Sequence, residues 1–488
     1  MRRHHVLLLA VLLAVSQAPA AAAQRIRVHA SLNVRVNAVY HAACLAESIP
    51  CSREVFDRFW KSQLSWSEAD QSTLETWRRV MAAATAAAPA RPAAPLLANT
   101  PRFHPAQAAR STLIVAALEA SSPADLHVKA QNVVTAEDAA QLSRVVDHFE
   151  QRLRDWFKMA AGAEIQRRLK LAEQYLGDIR FSNTVDKMAA FLQAQLPAPD
   201  LYVDVIVGPE PRSEDSAATQ LGSHLLVEVV NATTSAGIAS GAVHELTHYI
   251  YDRAPAEKHR ALITQFVQSE SVQAPALYTY LNEAIAVAAQ ALYEPSPAVT
   301  FQARSAGLYT TTKDEGYRHP YVAPLGAAAT LLVRDAVERK KSLFDGFVTR
   351  YMAAGTAALK EKAREPQFLL AQVGMLLPAD GDAIRAAWLQ AMFPQGSATF
   401  KNEPDADRFP DLNIVRFVRY DEVPIPGVTI PDLKSLVTHR AFAYALPRGR
   451  RATTYVLAGR DTDAIMDAIR KLATLTTLPS KGPVLTVD

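Results

Sequence analysis

The segment His244-Glu245-Leu246-Thr247-His248 combines residue types that together support metal-assisted hydrolysis. On a helix, residues four positions apart lie one above the other on the same face, so both imidazoles can reach one Zn²⁺ at about 2.0–2.1 Å. Glu245 follows the first histidine and lies beside the remaining coordination position, where its carboxylate can take a proton from water. The spacing therefore predicts a catalytic zinc site with His244 and His248 as ligands and Glu245 as general base.

The residues around this segment favour a helix that presents both histidines. Thr233, Thr234 or Ser235 can cap its start, and Pro255 stops it. The alternative interpretation is a helix whose two histidines are ordinary hydrogen-bonded groups.

A catalytic zinc site of this kind takes three protein ligands, so a third must come from elsewhere in the chain. Tyr251 and Ala254 stand at the glycine and third-histidine positions of H-E-x-x-H-x-x-G-x-x-H, which excludes that motif. Asp252, four residues after His248, can be a ligand or an outer partner, although a lone aspartate near a helix end is usually just exposed. Glu283 is the better candidate because its helix-forming segment is almost free of charge and should be buried. A buried ion pair with an arginine or lysine is the alternative for Glu283.

His-Glu-Leu-Thr-His at 244–248 followed by Asn-Glu-Ala-Ile-Ala at 282–286 resembles the gluzincin metallopeptidases, which include thermolysin and the alanyl-type aminopeptidases. In that family a second helix carries Asn-Glu and its glutamate is the third zinc ligand, so the resemblance implies this role for Glu283. It also implies a mixed sheet, then the zinc helix, then a mostly helical lobe, with the cleft between them. The strand at 224–230 would then be the sheet edge that pairs with an extended peptide.

The resemblance also implies a residue that stabilises the oxyanion, because relatives supply a tyrosine or histidine after the glutamate helix. Tyr321 is the first choice, His319 the second and Tyr317 the third. The alternative for each is an aromatic packing group ahead of a helix.

The similarity to the family covers only about 220–340. Within it, three departures from the family pattern limit which family properties can be assigned to this chain. The gap from His248 to Glu283 has 34 intervening residues, longer than in the relatives, and an extra helix near 256–268 accounts for it. The aminopeptidase motif Gly-Ala-Met-Glu-Asn is missing, so recognition of a free α-amine is not expected. Val287 stands where thermolysin has the aspartate that supports the first histidine.

The first 23 residues are typical of a secretory signal. A basic start at 2–5 precedes an apolar run from Val6 to Val15 and small residues at 21–23. We therefore expect a periplasmic or extracellular bacterial protein. No later segment approaches about 18 apolar residues, so stable membrane insertion is not expected.

Composition predicts a globular protein, and the resemblance implies that its partner is a peptide or protein substrate. The chain has 488 residues, 49% hydrophobic residues and a formal net charge of +3, which gives no sign of nucleic-acid binding. Its two cysteines, Cys44 and Cys51, favour a disulfide in an oxidising compartment, and two free thiols are the alternative. The sequence leaves the oligomeric state open.

Hydrophobic periodicity predicts an α+β fold: a small mixed sheet, the zinc helix, a mostly helical lobe and an accessory α+β tail. Alternation over 24–38 predicts one strand or two short ones. The predicted divisions are a signal peptide (1–23), a largely helical N-terminal region (24–195) with an Ala/Pro linker near 82–98, a metallopeptidase-like domain (196–404) and an accessory domain (405–488).

Together these patterns predict a secreted zinc-dependent peptidase that uses Zn²⁺ as its cofactor. Two alternatives stay open: a metallopeptidase-like binding protein without hydrolytic activity, and a zinc hydrolase of non-peptide substrates. The complete H-E-x-x-H motif, with its base Glu245, favours an enzyme over a binding protein.

Overall fold

A computed structural model describes residues 27–160, 163–196, 200–207, 218–229, 235–293, 320–423, 429–431 and 433–488. These residues form the predicted α+β fold. The strands are β1 (Arg27–Ser31), β2 (Asp200–Val207), β3 (Ala218–Leu221), β4 (His224–Val229), β5 (Gln372–Leu376), β6 (Gly396–Phe400), β7 (Asn413–Arg419), β8 (Ala441–Arg448), β9 (Ala452–Gly459) and β10 (Gly482–Val487). The predicted signal peptide, residues 1–23, lies outside the described residues.

The longer helices alternate with these strands and dominate the first three quarters of the chain. They are α1 (Val34–Leu45), α2 (Arg53–Gln63), α3 (Glu68–Ala87), α4 (Pro105–Glu119), α5 (Pro123–Ala130), α6 (Ala136–Ala160), α7 (Ala163–Leu176), α8 (Ile179–Leu192), α9 (Ser235–Arg253), α10 (Ala256–Gln268), α11 (Ala274–Tyr293), α12 (Val322–Glu338), α13 (Phe347–Leu359), α14 (Asp382–Met392) and α15 (Thr462–Ala473). Among the described residues, none of the helices is both long and apolar enough to cross a membrane.

The first sheet has four strands in the order β1-β2-β4-β3. β1, β2 and β4 are parallel, and β3 pairs antiparallel to β4 through a tight turn at Gly222-Ser223. Gly222 has a φ of +58°, a conformation that glycine adopts without the steric cost of a side chain. The prediction that 224–230 forms the sheet edge is wrong, because the four-residue strand β3 pairs outside β4 and is itself the edge.

Both faces of this sheet are covered by helices, which explains why its central strands are apolar on both sides. Val203 and Val205 of β2 pack in the core that contains α9. Ile206 and Leu226 point to the opposite face, into a second core built from the N-terminal helices. The sheet thus supports α9 on one side and is itself supported from the other.

The N-terminal region begins as part of this sheet rather than as a separate unit. β1 pairs with β2, and the strand predicted over 24–38 is confined to Arg27–Ser31 within the described residues. The rest of the predicted strand is wrong because Asn33 caps a helix: its side chain accepts hydrogen bonds from the backbone N–H groups of Arg35 and Val36.

Cys44 and Cys51 form the predicted disulfide at the end of α1. The next residue, Ser52, donates to Glu228 on β4 from both its hydroxyl (Oγ–Oε2, 2.6 Å) and its backbone N–H (N–Oε1, 3.0 Å). The disulfide loop is therefore fastened to the strand that leads towards α9.

Residues 88–100, which we call the strap, follow α3 in the region near 82–98 where an Ala/Pro linker is predicted, and tertiary contacts hold them. The first residues of that prediction belong to α3, and Leu96 and Leu97 are fully buried. The Gln372 side chain accepts from the Leu97 N–H (3.2 Å) and donates to its carbonyl (2.9 Å). Composition alone cannot predict these contacts.

The C-terminal part of the chain forms a second, six-stranded sheet with the order β10-β8-β9-β7-β5-β6. β5 pairs in parallel with both β6 and β7, so this sheet begins at Gln372. The predicted boundary at 405 is therefore too late, because two five-residue strands precede it and their short apolar runs carry little periodic signal.

Candidate metal centre

Helix α9 carries both motif histidines and is held against the first sheet by small residues. Ala239 and Ala242 are buried, and the nearest side-chain atom to a Cβ built on Gly241 belongs to Val227 of β4, at 3.9 Å. The small Ala239 and Ala242 side chains let the helix backbone approach the sheet closely, and Gly241 has room for a methyl group. The histidines follow directly and lie on the face of the helix that turns towards α11.

Helix α11 brings Glu283 to the two imidazoles. The Nε2 atoms of His244 and His248 are 3.1 Å apart. Each lies 3.4 Å from one carboxylate oxygen of Glu283. Ligands at about 2.0–2.1 Å from a tetrahedral zinc are separated by roughly 3.3 Å, so the three donors have the spacing that such an ion requires.

The outer nitrogen of each imidazole faces a side-chain amide of α11. Nδ1 of His248 lies 3.1 Å from Asn282 Oδ1, and Nδ1 of His244 lies 3.2 Å from Gln290 Oε1. An amide oxygen can only accept, so each Nδ1 carries the proton and each Nε2 directs a lone pair into the cluster.

Two lone pairs and a carboxylate at these distances repel one another unless a cation lies between them. Burial alone would lower the pKa of His244, but the Glu283 carboxylate outweighs it and raises that pKa to about 9. A positive charge between these groups is therefore stabilised, and either a proton or a metal ion can supply it.

Glu245 lies next to the two imidazoles, close enough to belong to the same group of possible donors. Donor atoms of His244, Glu245 and His248 all lie within 4.8 Å of one another. Glu245 is buried, and burial raises the pKa of its carboxyl group; the two imidazoles and the backbone N–H of Gln220 on β3 offset this only in part. A carboxyl group with a raised pKa beside a metal site is suited to accept and return a proton.

The site is open to solvent on the Glu283 side. The Glu283 side chain is 35% exposed, whereas those of His244 and His248 are 12% and 15% exposed. α11 is buried as predicted, but Glu283 itself is only half-buried, and both motif histidines lie beside its carboxylate. Water and a substrate can therefore approach the donors from one side.

The other predicted site residues have partners of their own or lie outside the described residues. Asp252 accepts a hydrogen bond from Thr100 of the strap and is not part of the cluster. The Tyr321 hydroxyl donates its only proton to Glu365 (2.8 Å), and the ring is 2% exposed. His319 and Tyr317 lie outside the described residues, so their predicted role stays a prediction.

Two imidazole nitrogens and one carboxylate oxygen are the donor set of catalytic His₂Glu zinc sites, so the residues fit this ion. Gln290 and Gln220 are the contacts that sequence reasoning missed. Gln290 lies seven residues after Glu283, two helical turns along the same face, and that spacing is the signal that could have found it. Gln220 contributes a backbone group, which no side-chain pattern reveals.

No family model matches this chain, and no curated protein or solved structure is significantly similar to it.

Proposed function

We propose that this protein is a zinc-dependent peptidase. The observation that carries the proposal is the convergence of His244, His248 and Glu283, with mutual distances of 3.1–3.4 Å, next to the buried carboxylate of Glu245. A purely structural zinc site has four protein ligands and no reason to keep a base beside it. Three ligands, a base and one exposed side match a hydrolytic site instead.

In this proposal His244, His248 and Glu283 hold the zinc ion. When bound, zinc would polarise the scissile carbonyl and lower the pKa of water at the open position towards about 7. Glu245 takes the proton of the attacking water and delivers it to the leaving amine.

The edge strand β3 favours a peptide as the substrate. Leu221 and His224 close a two-residue turn and bond to each other, so the N–H and carbonyl of Gln220 point away from β4. The Gln220 N–H contacts the Glu245 carboxylate, which places this outer edge beside the proposed base. An extended peptide that adds to β3 by backbone pairing would therefore pass next to Glu245.

We further propose that the protein acts in the periplasm or outside the cell. The predicted signal peptide and the Cys44–Cys51 disulfide support this, because disulfides persist in oxidising compartments.

Zinc content and peptide hydrolysis measured on one preparation test the proposal. We expect stoichiometric zinc, cleavage of casein, loss of cleavage with a chelator and recovery when zinc is returned. Stoichiometric zinc without cleavage of casein or a peptide library would leave a metal-binding protein or a hydrolase of other substrates. A chain that binds no zinc would overturn the proposal entirely.

A further inference from the structure

Among the described residues, Gln290 is the side chain that hydrogen-bonds to the outer nitrogen of His244. Its Oε1 lies 3.2 Å from His244 Nδ1, and its Nε2 donates to the backbone carbonyl of Ser240 (3.1 Å) and to the Ser240 hydroxyl (3.3 Å). Ser240 lies one turn before His244 on α9. The amide thus joins two successive turns of the helix that carries the histidines.

The Ser240 carbonyl fixes which way this amide faces. A backbone carbonyl can only accept, so it requires the NH₂ end of the Gln290 amide. The amide oxygen must then face His244, and the imidazole must carry its proton on Nδ1. Its Nε2 is left as a lone pair, directed towards His248 and Glu283.

We infer that Gln290 is a positioning residue that sets the tautomer and ring orientation of His244 for metal binding. This inference rests on the proposed zinc site and goes beyond it. The position four residues after Glu283, which could have faced the same ring, holds Val287 and is buried in apolar packing. A neutral amide also orients the ring without adding negative charge, so it leaves the metal site more electron-poor than a carboxylate would.

The first test compares zinc affinity of wild type and Gln290→Leu by competition with a chromophoric chelator. Removing the acceptor is expected to weaken zinc binding about tenfold to hundredfold, the usual effect of losing an outer partner of a metal-bound histidine. Gln367→Leu is the matched control: Gln367 is also half-buried and donates to a backbone carbonyl, that of Ala391 (2.8 Å), far along the chain from the site. The control should bind zinc as wild type does.

Gln290→Glu separates a role in positioning His244 from a merely structural one. A carboxylate still accepts from His244 Nδ1 but cannot donate to the Ser240 carbonyl. If Gln290 acts through His244, this variant keeps wild-type zinc affinity or exceeds it. If Gln290 only braces α9 through Ser240, it weakens zinc binding as much as Gln290→Leu does, and the inference is overturned.

A spectroscopic readout does not depend on either variant. In zinc-loaded protein with ¹⁵N-labelled histidine, long-range ¹H–¹⁵N correlation should show the proton of His244 on Nδ1. A proton on Nε2, or unchanged zinc affinity in Gln290→Leu, overturns the inference and leaves the proposed function standing. Absence of zinc binding by the wild type instead overturns the proposed function itself.

Discussion

Glu245 is the residue on which hydrolysis depends in the proposed site, and it takes no part in holding the metal. We predict that Glu245→Gln keeps stoichiometric zinc and loses about 10²–10⁴-fold in peptide hydrolysis, because the amide cannot accept the proton. Metal analysis and casein hydrolysis on the same sample check this. Glu338→Gln, at the exposed end of α12, should change neither quantity. Hydrolysis at the wild-type rate by Glu245→Gln would show that another group is the base.

Glu283 and Asp252 were the two acidic candidates for the third ligand, and they now make a matched pair. We predict that Glu283→Ala no longer retains stoichiometric zinc after dialysis, because only two protein donors remain. Asp252→Asn should retain it, since Asp252 contacts Thr100 of the strap. Full zinc retention by Glu283→Ala, or zinc loss confined to Asp252→Asn, would rule out Glu283 as the ligand.

At the scale of residues, the sequence predicts those site residues that lie close together in the chain. His244, Glu245 and His248 are adjacent on one helix, so four-residue periodicity is enough to bring them together. Glu283 needed the added argument that a charge-free helix should not carry a lone glutamate. Gln290 escaped prediction because a glutamine is common on helices and only the crossing of α9 and α11 gives it a partner.

At the scale of elements, α11 is the part of the fold that organises the site. It contributes Glu283 to the donors and Asn282 and Gln290 to the two imidazoles. It also packs against α12, where a Cβ built on Gly326 would lie 2.5 Å from Val287 Cγ1. Because Gly326 has no side chain, α11 and α12 can approach this closely.

The close approach of α11 and α12 at Gly326 predicts that a larger residue there destabilises the protein, and Gly241 in α9 provides the control. Gly326→Ala should destabilise the protein by about 1–3 kcal/mol, because the added methyl overlaps the Val287 Cβ and Cγ1, which cannot move without the backbone. Gly241→Ala in α9 meets only a 3.9 Å contact and should gain roughly 0.5–1 kcal/mol from helix propensity. Urea unfolding of both variants measures the two effects. Equal stability changes of the same sign would contradict this account of the packing.

The elements that the sequence predicts well are those with long periodic patterns. The extra helix expected near 256–268 is present with those limits, as Ala256–Gln268. β3, β5 and β6 were missed because strands of four or five residues show too few alternations to stand out. The helix that starts at Val34 was taken for strand because its apolar residues happen to alternate at its start.

At the scale of the whole molecule, long-range contacts tie the predicted divisions together. The strap crosses the two site helices: Asn99 accepts from the Tyr251 hydroxyl of α9 (2.9 Å) and donates to the Tyr278 carbonyl of α11 (2.7 Å). Arg451, in the β8–β9 turn, donates to the Phe266 carbonyl near the end of α10 (3.0 Å). Such contacts depend on residues far apart in the chain, so composition shifts could not reveal them.

Two buried histidines, His41 and His259, and the half-buried His104 make the stability of the folded protein depend on pH. Burial lowers the pKa of His41 to about 3 and those of His104 and His259 to about 4. His41 is held neutral from both sides: Trp60 Nε1 donates to its Nδ1 (3.2 Å), and its Nε2 lies 3.2 Å from the Val207 carbonyl. All three groups favour the uncharged ring in the folded state.

These depressed pKa values predict that the protein loses stability in mild acid. Below about pH 6.5 the unfolded chain takes up protons at these histidines while the folded chain does not, so each costs about 1.4 kcal/mol per pH unit until the pH nears its folded pKa. The contribution of these three histidines to stability is therefore full above about pH 6.5 and falls as the pH drops towards about 4. Urea unfolding at pH 7 and pH 5, with a chelator present throughout, measures the fall. His41→Gln should reduce the difference between the two pH values by the contribution of one histidine, and an unchanged difference would show that His41 does not control acid stability.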